Sequence, residues 1–324
     1  MAKILGLGNA LVDILILLPT DDLLHETGLP KGSMLHVERK IIDELLTKTG
    51  GLQQQITSGG SAANAIHGLA RLGNATAFIG KTGPDNLGKI FYDDMVSSGI
   101  EPKLILSTTE TGSAVAFISP DSERSFAVYL GAALELSASD LTAEHFRSYD
   151  VLHIEGYLVQ NHELIETAVK LAKQAGLKVS LDLASYNVVE GNLGFLKRIV
   201  NDHVDIVFAN EEEALAFTAF EPEKAVAALS QFCEIAVVKT GPKGSLIQSD
   251  HELHRIEIIP TKVIDTTGAG DLYAAGFLHG LLNGLPLNKC GMAGAILAGN
   301  VIRYVGAKIP DEAWPGIIIE IGSL

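Results

Sequence analysis

Cysteine is close to absent. Cys233 and Cys290 stand far apart and outside any CxxC, so neither a disulfide framework nor a zinc ribbon is encoded. A reducing compartment suits such a chain, and a cytoplasmic location is the expectation. Positive charge is scarce too: 24 Lys plus Arg against 39 Asp plus Glu give a formal net charge of -15. That field disfavours nucleic acid and anionic membranes as partners, although a small anion such as ATP can still be held by local helix ends and cations. A long apolar run is missing as well. Residues 4–18 are interrupted by Asn9 and Asp13, are too short to span a bilayer, and are followed by no clean cleavage site. Low-complexity tracts, solenoid-period repeats and flexible linkers are also wanting.

What is present is a 324-residue chain, 47% hydrophobic and 19% charged, with 33 glycines. This suits a buried sheet flanked by helices, in two domains or in one large α/β domain with an accessory piece. Apolar runs at 4–7, 75–80, 151–154, 178–183, 205–209 and 235–239 read as buried strands. Helical periodicity separates them at 62–72, 86–98, 162–175, 193–201 and 211–217. Repeated β-then-α order predicts a mostly parallel sheet covered on both faces, with ligands at the carboxyl ends of its strands. Segments 14–39 and 104–130 break the order. Alternation in Ser113-Ala-Val-Ala-Phe-Ile118 and Ser125-Phe-Ala-Val-Tyr-Leu130, around the turn Pro120-Asp-Ser-Glu123, predicts half-exposed strands of a small lid sheet.

Two motifs carry chemistry. In Asp265-Thr-Thr-Gly-Ala-Gly-Asp271, the amides of Gly268, Ala269 and Gly270 can approach an anion, and the helix they open adds its positive end. Asp271 in the first turn is placed to take a proton from an attacking hydroxyl, although an acidic residue there also suits plain helix capping. In Ser58-Gly-Gly-Ser-Ala-Ala-Asn64, small residues offer backbone on which a polyhydroxylated ligand can lie, with Asn64 as donor and acceptor. A glycine turn before a capped helix explains the same residues.

Together the two motifs resemble the paired signatures of the ribokinase-like (PfkB) sugar and nucleoside kinases. Gly80-Lys-Thr-Gly-Pro-Asp-Asn-Leu-Gly88, Asn210-Glu-Glu-Glu213 and Lys239-Thr-Gly-Pro-Lys-Gly244 resemble further family elements in the same order. The resemblance implies one kinase domain over residues 1–324, a three-layer α/β sandwich whose lid comprises about 14–39 and 104–130. It implies Asp271 as the base and Gly268, Ala269 and Gly270 as the anion hole. Asp13, Gly59, Gly60 and Asn64 would hold the acceptor. Asn210 and Glu213 would organise magnesium through water, and Thr240, Gly241, Gly244 and Asn300 would meet ATP. Asp265 and Thr267 would hold a monovalent cation such as K+. Glu155, at a strand's carboxyl end, is a further acceptor contact, or a surface acid. Arg124 is expected on the lid, reaching the transferred phosphate on closure, unless it is a solvated turn residue.

Other readings fit less well. Gly6-Leu-Gly8 lacks the third glycine of a dinucleotide fingerprint, where Leu11 stands, which weighs against a dehydrogenase. Gly83 to Lys89 imitates a P-loop but has Ile90 where a Ser or Thr should bind magnesium. His251-Glu-Leu-His254 is too tightly spaced for a helical zinc site. Within the family, Gly8-Asn-Ala-Leu-Val-Asp13 and Arg124 before Tyr129-Leu-Gly-Ala are similar to the adenosine-kinase-like branch. Leu11, Met34, Leu35, Tyr129 and Leu130 are candidates for an apolar base slot. The expected acceptor is adenosine or a related nucleoside. The alternatives are a sugar such as ribose or fructose and, in a different class, a non-catalytic nucleoside- or sugar-binding regulator. Open lid edges would be covered by pairing of two subunits, so a homodimer through the lid is an expectation.

Overall fold

A computed structural model describes residues 2–121, 123–250 and 252–324; Ser122 of the expected turn and His251 of the His-Glu-Leu-His run lie outside the described residues. In chain order the strands are β1 (Lys3–Leu7), β2 (Leu11–Leu17), β3 (Met34–His36), β4 (Gln54–Gly59), β5 (Ala75–Thr82), β6 (Ile100–Leu106) and β7 (Gly112–Ile118). There follow β8 (Arg124–Tyr129), β9 (Val151–Glu155), β10 (Lys178–Asp182), β11 (Ile206–Asn210), β12 (Ile235–Lys239), β13 (Ser245–Ser249) and β14 (Glu252–Ile256). Among the described residues they form a nine-stranded sheet, β14-β13-β12-β11-β10-β9-β1-β5-β6, and a five-stranded sheet, β3-β8-β7-β2-β4. In the large sheet β12, β13 and β14 pair antiparallel and the remaining neighbours pair parallel.

The inner parallel strands are mostly apolar on both faces because both are covered, whereas the edge strand β6 carries Glu101 and Lys103. Leu5, Ile79, Val207 and Val238 face one layer, with the helices His162–Gln174 and Tyr186–His203. Their neighbours Ile4, Phe78, Phe208 and Val237 face the other, with Ser61–Arg71, Ala269–Leu282 and Leu287–Val301. This is a ribokinase-like three-layer α/β sandwich. The helix Tyr186–His203 starts ahead of the periodic segment at 193–201 because Asn192 leaves helical geometry (φ -128°, ψ 18°) and interrupts the pattern.

The small sheet alternates. Ile14, Ile16, Val115, Phe117 and Ala127 face a separate core closed by Leu24, Ile42 and Leu45 of the helices Asp22–Thr27 and Arg39–Lys48. The sheet departs from the segments expected for it. Residues 104–106 belong to β6, where Leu104, Ile105 and Leu106 continue the parallel pairing with β5. β2 already begins at Leu11, and β4, whose Gln-Gln start hides its alternation, adds an edge outside either segment.

Candidate active site

Four adjacent parallel strands end on polar residues: β9 on Glu155, β10 on Asp182, β11 on Asn210 and β12 on Lys239. Strand order runs one way from β9 and the other way from β1, so a crevice opens beyond the carboxyl ends at their junction. The two glycine motifs enter this crevice.

Gly268 leads into the helix Ala269–Leu282 at φ 74°, and a Cβ there would lie 2.5 Å from that of Ala307, so only glycine fits. The Ala269 amide donates to the Thr266 carbonyl (3.1 Å) and is therefore not free for an anion. The available donors of the first turn are the amides of Gly270 and of Asp271 itself. The Asp271 carboxylate accepts from Ser61 Oγ (2.7 Å) and Asn64 Nδ2 (2.9 Å). Burial raises its pKa above the usual carboxylate range, against the lowering effect of those two bonds. Asn64 thus spends its amide nitrogen on Asp271, while its Oδ1 is buried without a partner.

Gly60, at φ 97°, precedes the helix Ser61–Arg71 with its Cα packed against the Asn9 carbonyl, where a Cβ would come to 2.2 Å. Gly59 lies against the Asp13 carboxyl, whose pKa burial pushes up to about 7. Glu155 is no surface acid. Its carboxyl accepts from Asn9 Nδ2 (2.5 Å) and the Ala62 amide (3.1 Å), and burial pushes it up to about 7. It therefore anchors the loop as well as lining the cavity.

Four other expectations need correction. Arg124 is not a solvated turn residue: it pairs with the buried Asp265 carboxylate and donates to Thr267 Oγ1. Asp265 also accepts from the amides of Thr267 (2.9 Å) and Gly306 (2.5 Å). With its charge met by a guanidinium, the Asp265 and Thr267 side chains do not fit a monovalent cation. Asn300 folds its amide back onto the Ile296 carbonyl (2.9 Å) and is not among the cavity-lining residues. Thr240 bonds the Gly244 carbonyl (2.9 Å) and fixes the turn, leaving Gly241 and Gly244 to line the cavity.

Asn210 and Glu213 form a reciprocal cap: the Glu213 amide donates to Asn210 Oδ1, and Glu213 accepts from the Asn210 amide and Nδ2, each at 2.8 Å. Burial raises the Glu213 pKa. No group of three or more His, Cys, Asp or Glu side chains among the described residues is arranged to hold a metal. The oxygens of Asn210 and Glu213 on the cavity wall fit a hydrated magnesium ion carried on phosphates rather than a protein cage.

Two cavities meet here. One, of about 680 Å³, has Asp13, Gly60, Ser61 and Asp271 on its floor and Leu11, Met34, Ala114, Phe126, Val128 and Leu130 on its wall. The other, of about 330 Å³, is lined by Ile258, Ile259, Val263, Ala298, Gly299 and Ile302 among others. The sequence pattern of the pfkB family carbohydrate kinases matches residues 40–314. The chain belongs to the pfkB family.

Like its family, this pfkB kinase is a phosphotransferase with an alcohol acceptor, and family membership implies ATP use. It is similar to a probable sugar kinase from Rhizobium etli, with 32% identity, a TM-score of 0.90, and 100% and 99% of the two chains covered. An adenosine kinase from Sinorhizobium meliloti matches at 33% identity with a TM-score of 0.88, over 98% and 99% of the chains. A nucleoside kinase of Methanothermobacter thermautotrophicus is 30% identical over 271 residues, 82% of this chain and 85% of that protein.

In this pfkB kinase the sequence reading overlooked Ser61, Asp182 and Lys239. Ser61 and Lys239 both stand inside quoted motifs without a role of their own, and Asp182 and Lys239 are strand-terminal polar residues, a signal available once strand ends are known. Of the proposed base slot, Leu11, Met34 and Leu130 line the cavity, whereas Leu35 and Tyr129 do not. Strand alternation sends Tyr129 toward the separate core and turns Phe126 and Val128 inward. Among the described residues no helix is long and apolar enough to cross a membrane.

Proposed function

We propose that this chain is an ATP-dependent kinase of the primary hydroxyl of a nucleoside, with adenosine the expected acceptor and Asp271 the base. The observation that carries the choice is the register of the small sheet. One row across it reads His36, Val128, Ala114, Asp13, and the next reads Met34, Phe126, Ala116, Leu15. A single carboxyl for sugar hydroxyls is thus set beside Met34, Ala114, Phe126 and Val128, which line the cavity as an apolar surface that a free sugar does not need and a purine does; Leu15 and Ala116 are buried behind it. The unpartnered Asn64 Oδ1 supports a hydroxyl-rich ligand at the same floor.

In this reading the ribose lies over Gly60 against Asp13, and its primary hydroxyl meets Asp271, held by Ser61 and Asn64. Asp271 takes the hydroxyl proton as the oxygen attacks, and the first-turn amides of the helix Ala269–Leu282 receive the spreading negative charge. The nucleotide base occupies the smaller apolar cavity beside Gly241 and Gly244. Asn210 and Glu213 would hold the waters of a magnesium ion bound with the nucleotide, and that ion would screen the phosphate charge.

Incubation with ATP, magnesium and a panel of nucleosides and sugars tests the acceptor. Adenosine is expected to give the highest kcat/KM, and Phe126→Ala is expected to raise its KM at least about tenfold while sparing any residual activity on ribose. Preferential phosphorylation of ribose or fructose would reject the nucleoside assignment. Asp271→Asn is expected to lower kcat by a factor of about 10³ or more with adenosine binding still measurable by calorimetry. Full activity in that variant would remove Asp271 as the base.

A further inference from the structure

Lys239 stands where the two cavities join. Lys239, Gly241 and Gly270 line both of them, and among the described residues no other Lys or Arg lines either. The larger cavity is otherwise acidic, with Asp13, Glu155, Asp182, Glu213 and Asp271 on its lining. A nucleotide's phosphates entering that field meet repulsion everywhere except at the helix start and at this ammonium.

The geometry aims the ammonium at that helix start. Lys239 ends β12, and its Nζ would be 3.1 Å from a Cβ built on Gly270, whose lack of a side chain leaves the space between ammonium and first-turn amides open. Asp182, the last residue of β10, holds Lys239 Nζ at 2.8 Å, and its other oxygen is fixed by the Ala184 amide (3.0 Å). Burial alone would favour the neutral amine, but Asp182, with Glu213 and Asp271, outweighs it and keeps the group charged.

We propose that Lys239 is a catalytic residue that donates to the oxygens of the phosphoryl group in flight, with Asp182 as the positioning residue that aims it. In the step, the acceptor oxygen bonds to the γ-phosphorus as the bond to the β,γ-bridging oxygen breaks. The acceptor proton passes to Asp271, and the electron pair departs with ADP. Lys239 keeps its proton throughout and supplies charge only. The assignment rests on phosphoryl transfer from ATP and not on which acceptor is used.

Lys239→Met leaves Asp182 buried without its cation, so the pair variant Lys239→Met/Asp182→Asn carries the test, with thermal melting to show that it folds. Its kcat on the acceptor that the wild type turns over fastest is expected to fall by about 10²-fold or more. In calorimetry with magnesium, the β,γ-methylene analogue of ATP is expected to bind about tenfold more weakly, with ADP affinity unchanged. Asp182→Asn alone is expected to lower kcat by about tenfold with acceptor KM unmoved, and Lys239→Arg to recover part of the loss. Wild-type kcat in the folded pair variant would overturn the proposal, and so would equal loss of ADP and analogue affinity. The analogue comparison needs no acceptor, so a sugar in place of adenosine would reject the nucleoside reading and leave Lys239 standing.

Discussion

At Gly270 a single added methyl group would fill the space between the Lys239 ammonium and the helix start. The residue sits in the first turn of the helix Ala269–Leu282, without the positive φ that forces glycine at Gly268. Helix propensity therefore favours alanine there by up to about 1 kcal/mol. The added Cβ would crowd the Lys239 ammonium at 3.1 Å. Gly270→Ala is accordingly expected to melt at or slightly above the wild-type temperature while losing at least about tenfold in kcat/KM. A variant with unchanged kinetics would show that the transferred group does not pass this turn. The same residue pair shows what a motif can convey. Gly268 to Asp271 was readable as a string because backbone demands fall on consecutive residues. Lys239 also opens a quoted motif, but its pairing was not readable, because its partner Asp182 is 57 positions away and the contact exists only through strand order.

Elements meet through ion pairs whose worth depends on burial. Arg124, at the start of β8, ties the small sheet to the loop before the helix Ala269–Leu282 through Asp265, their side chains being 9% and 2% exposed. Arg39, in the helix Arg39–Lys48, pairs with Asp43 (2.8 Å) and Glu110 (2.8 Å) in the open. Removing one partner of a buried pair costs about 3–5 kcal/mol, whereas exposed pairs are worth under about 1 kcal/mol. Arg124→Ala is expected to lose about 3 kcal/mol in urea unfolding, and Arg39→Ala less than about 1 kcal/mol. Equal losses would place the Arg124 bridge in solvent. Strand and helix existence was legible because branched apolar runs and 3.6-residue periods survive burial on two faces. The small sheet was half legible. β7 and β8 alternate openly, but β4 begins with two glutamines, and residues 104–106 carry an apolar pattern that serves either sheet. Inward and outward faces were misassigned at Tyr129 because period 2 fixes which residues share a face, not which face meets the cavity.

For the whole molecule, acidity inside the crevice turns pH into a stability variable. Glu155 has an ordinary value of 4.5 and a folded value of about 7, raised by burial. Between those values the unfolded chain has released the proton and the folded one retains it, so the folded state binds more protons and stability falls as pH rises. The contribution is fully present below about pH 4.5 and is lost as pH climbs through about 7. A shift of this size corresponds to on the order of 3 kcal/mol. Asp13 acts in the same direction, while Asp85 and Asp140, whose pKa values are lowered by their hydrogen-bond and ion-pair partners despite burial, act in the opposite one. Absolute stability therefore mixes both signs, and a difference isolates one group. Glu155→Gln removes the titration while keeping an acceptor for the Ala62 amide. It is expected to be less stable than the wild type at pH 5 and to close most of that gap by pH 8, in urea unfolding at each pH. Because Asp13, Asp85 and Asp140 are present in both proteins, their effects cancel. A gap that stays constant from pH 5 to pH 8 would mean that Glu155 is already ionised beneath the acceptor loop, with Asn9 and the Ala62 amide sufficient to hold its charge.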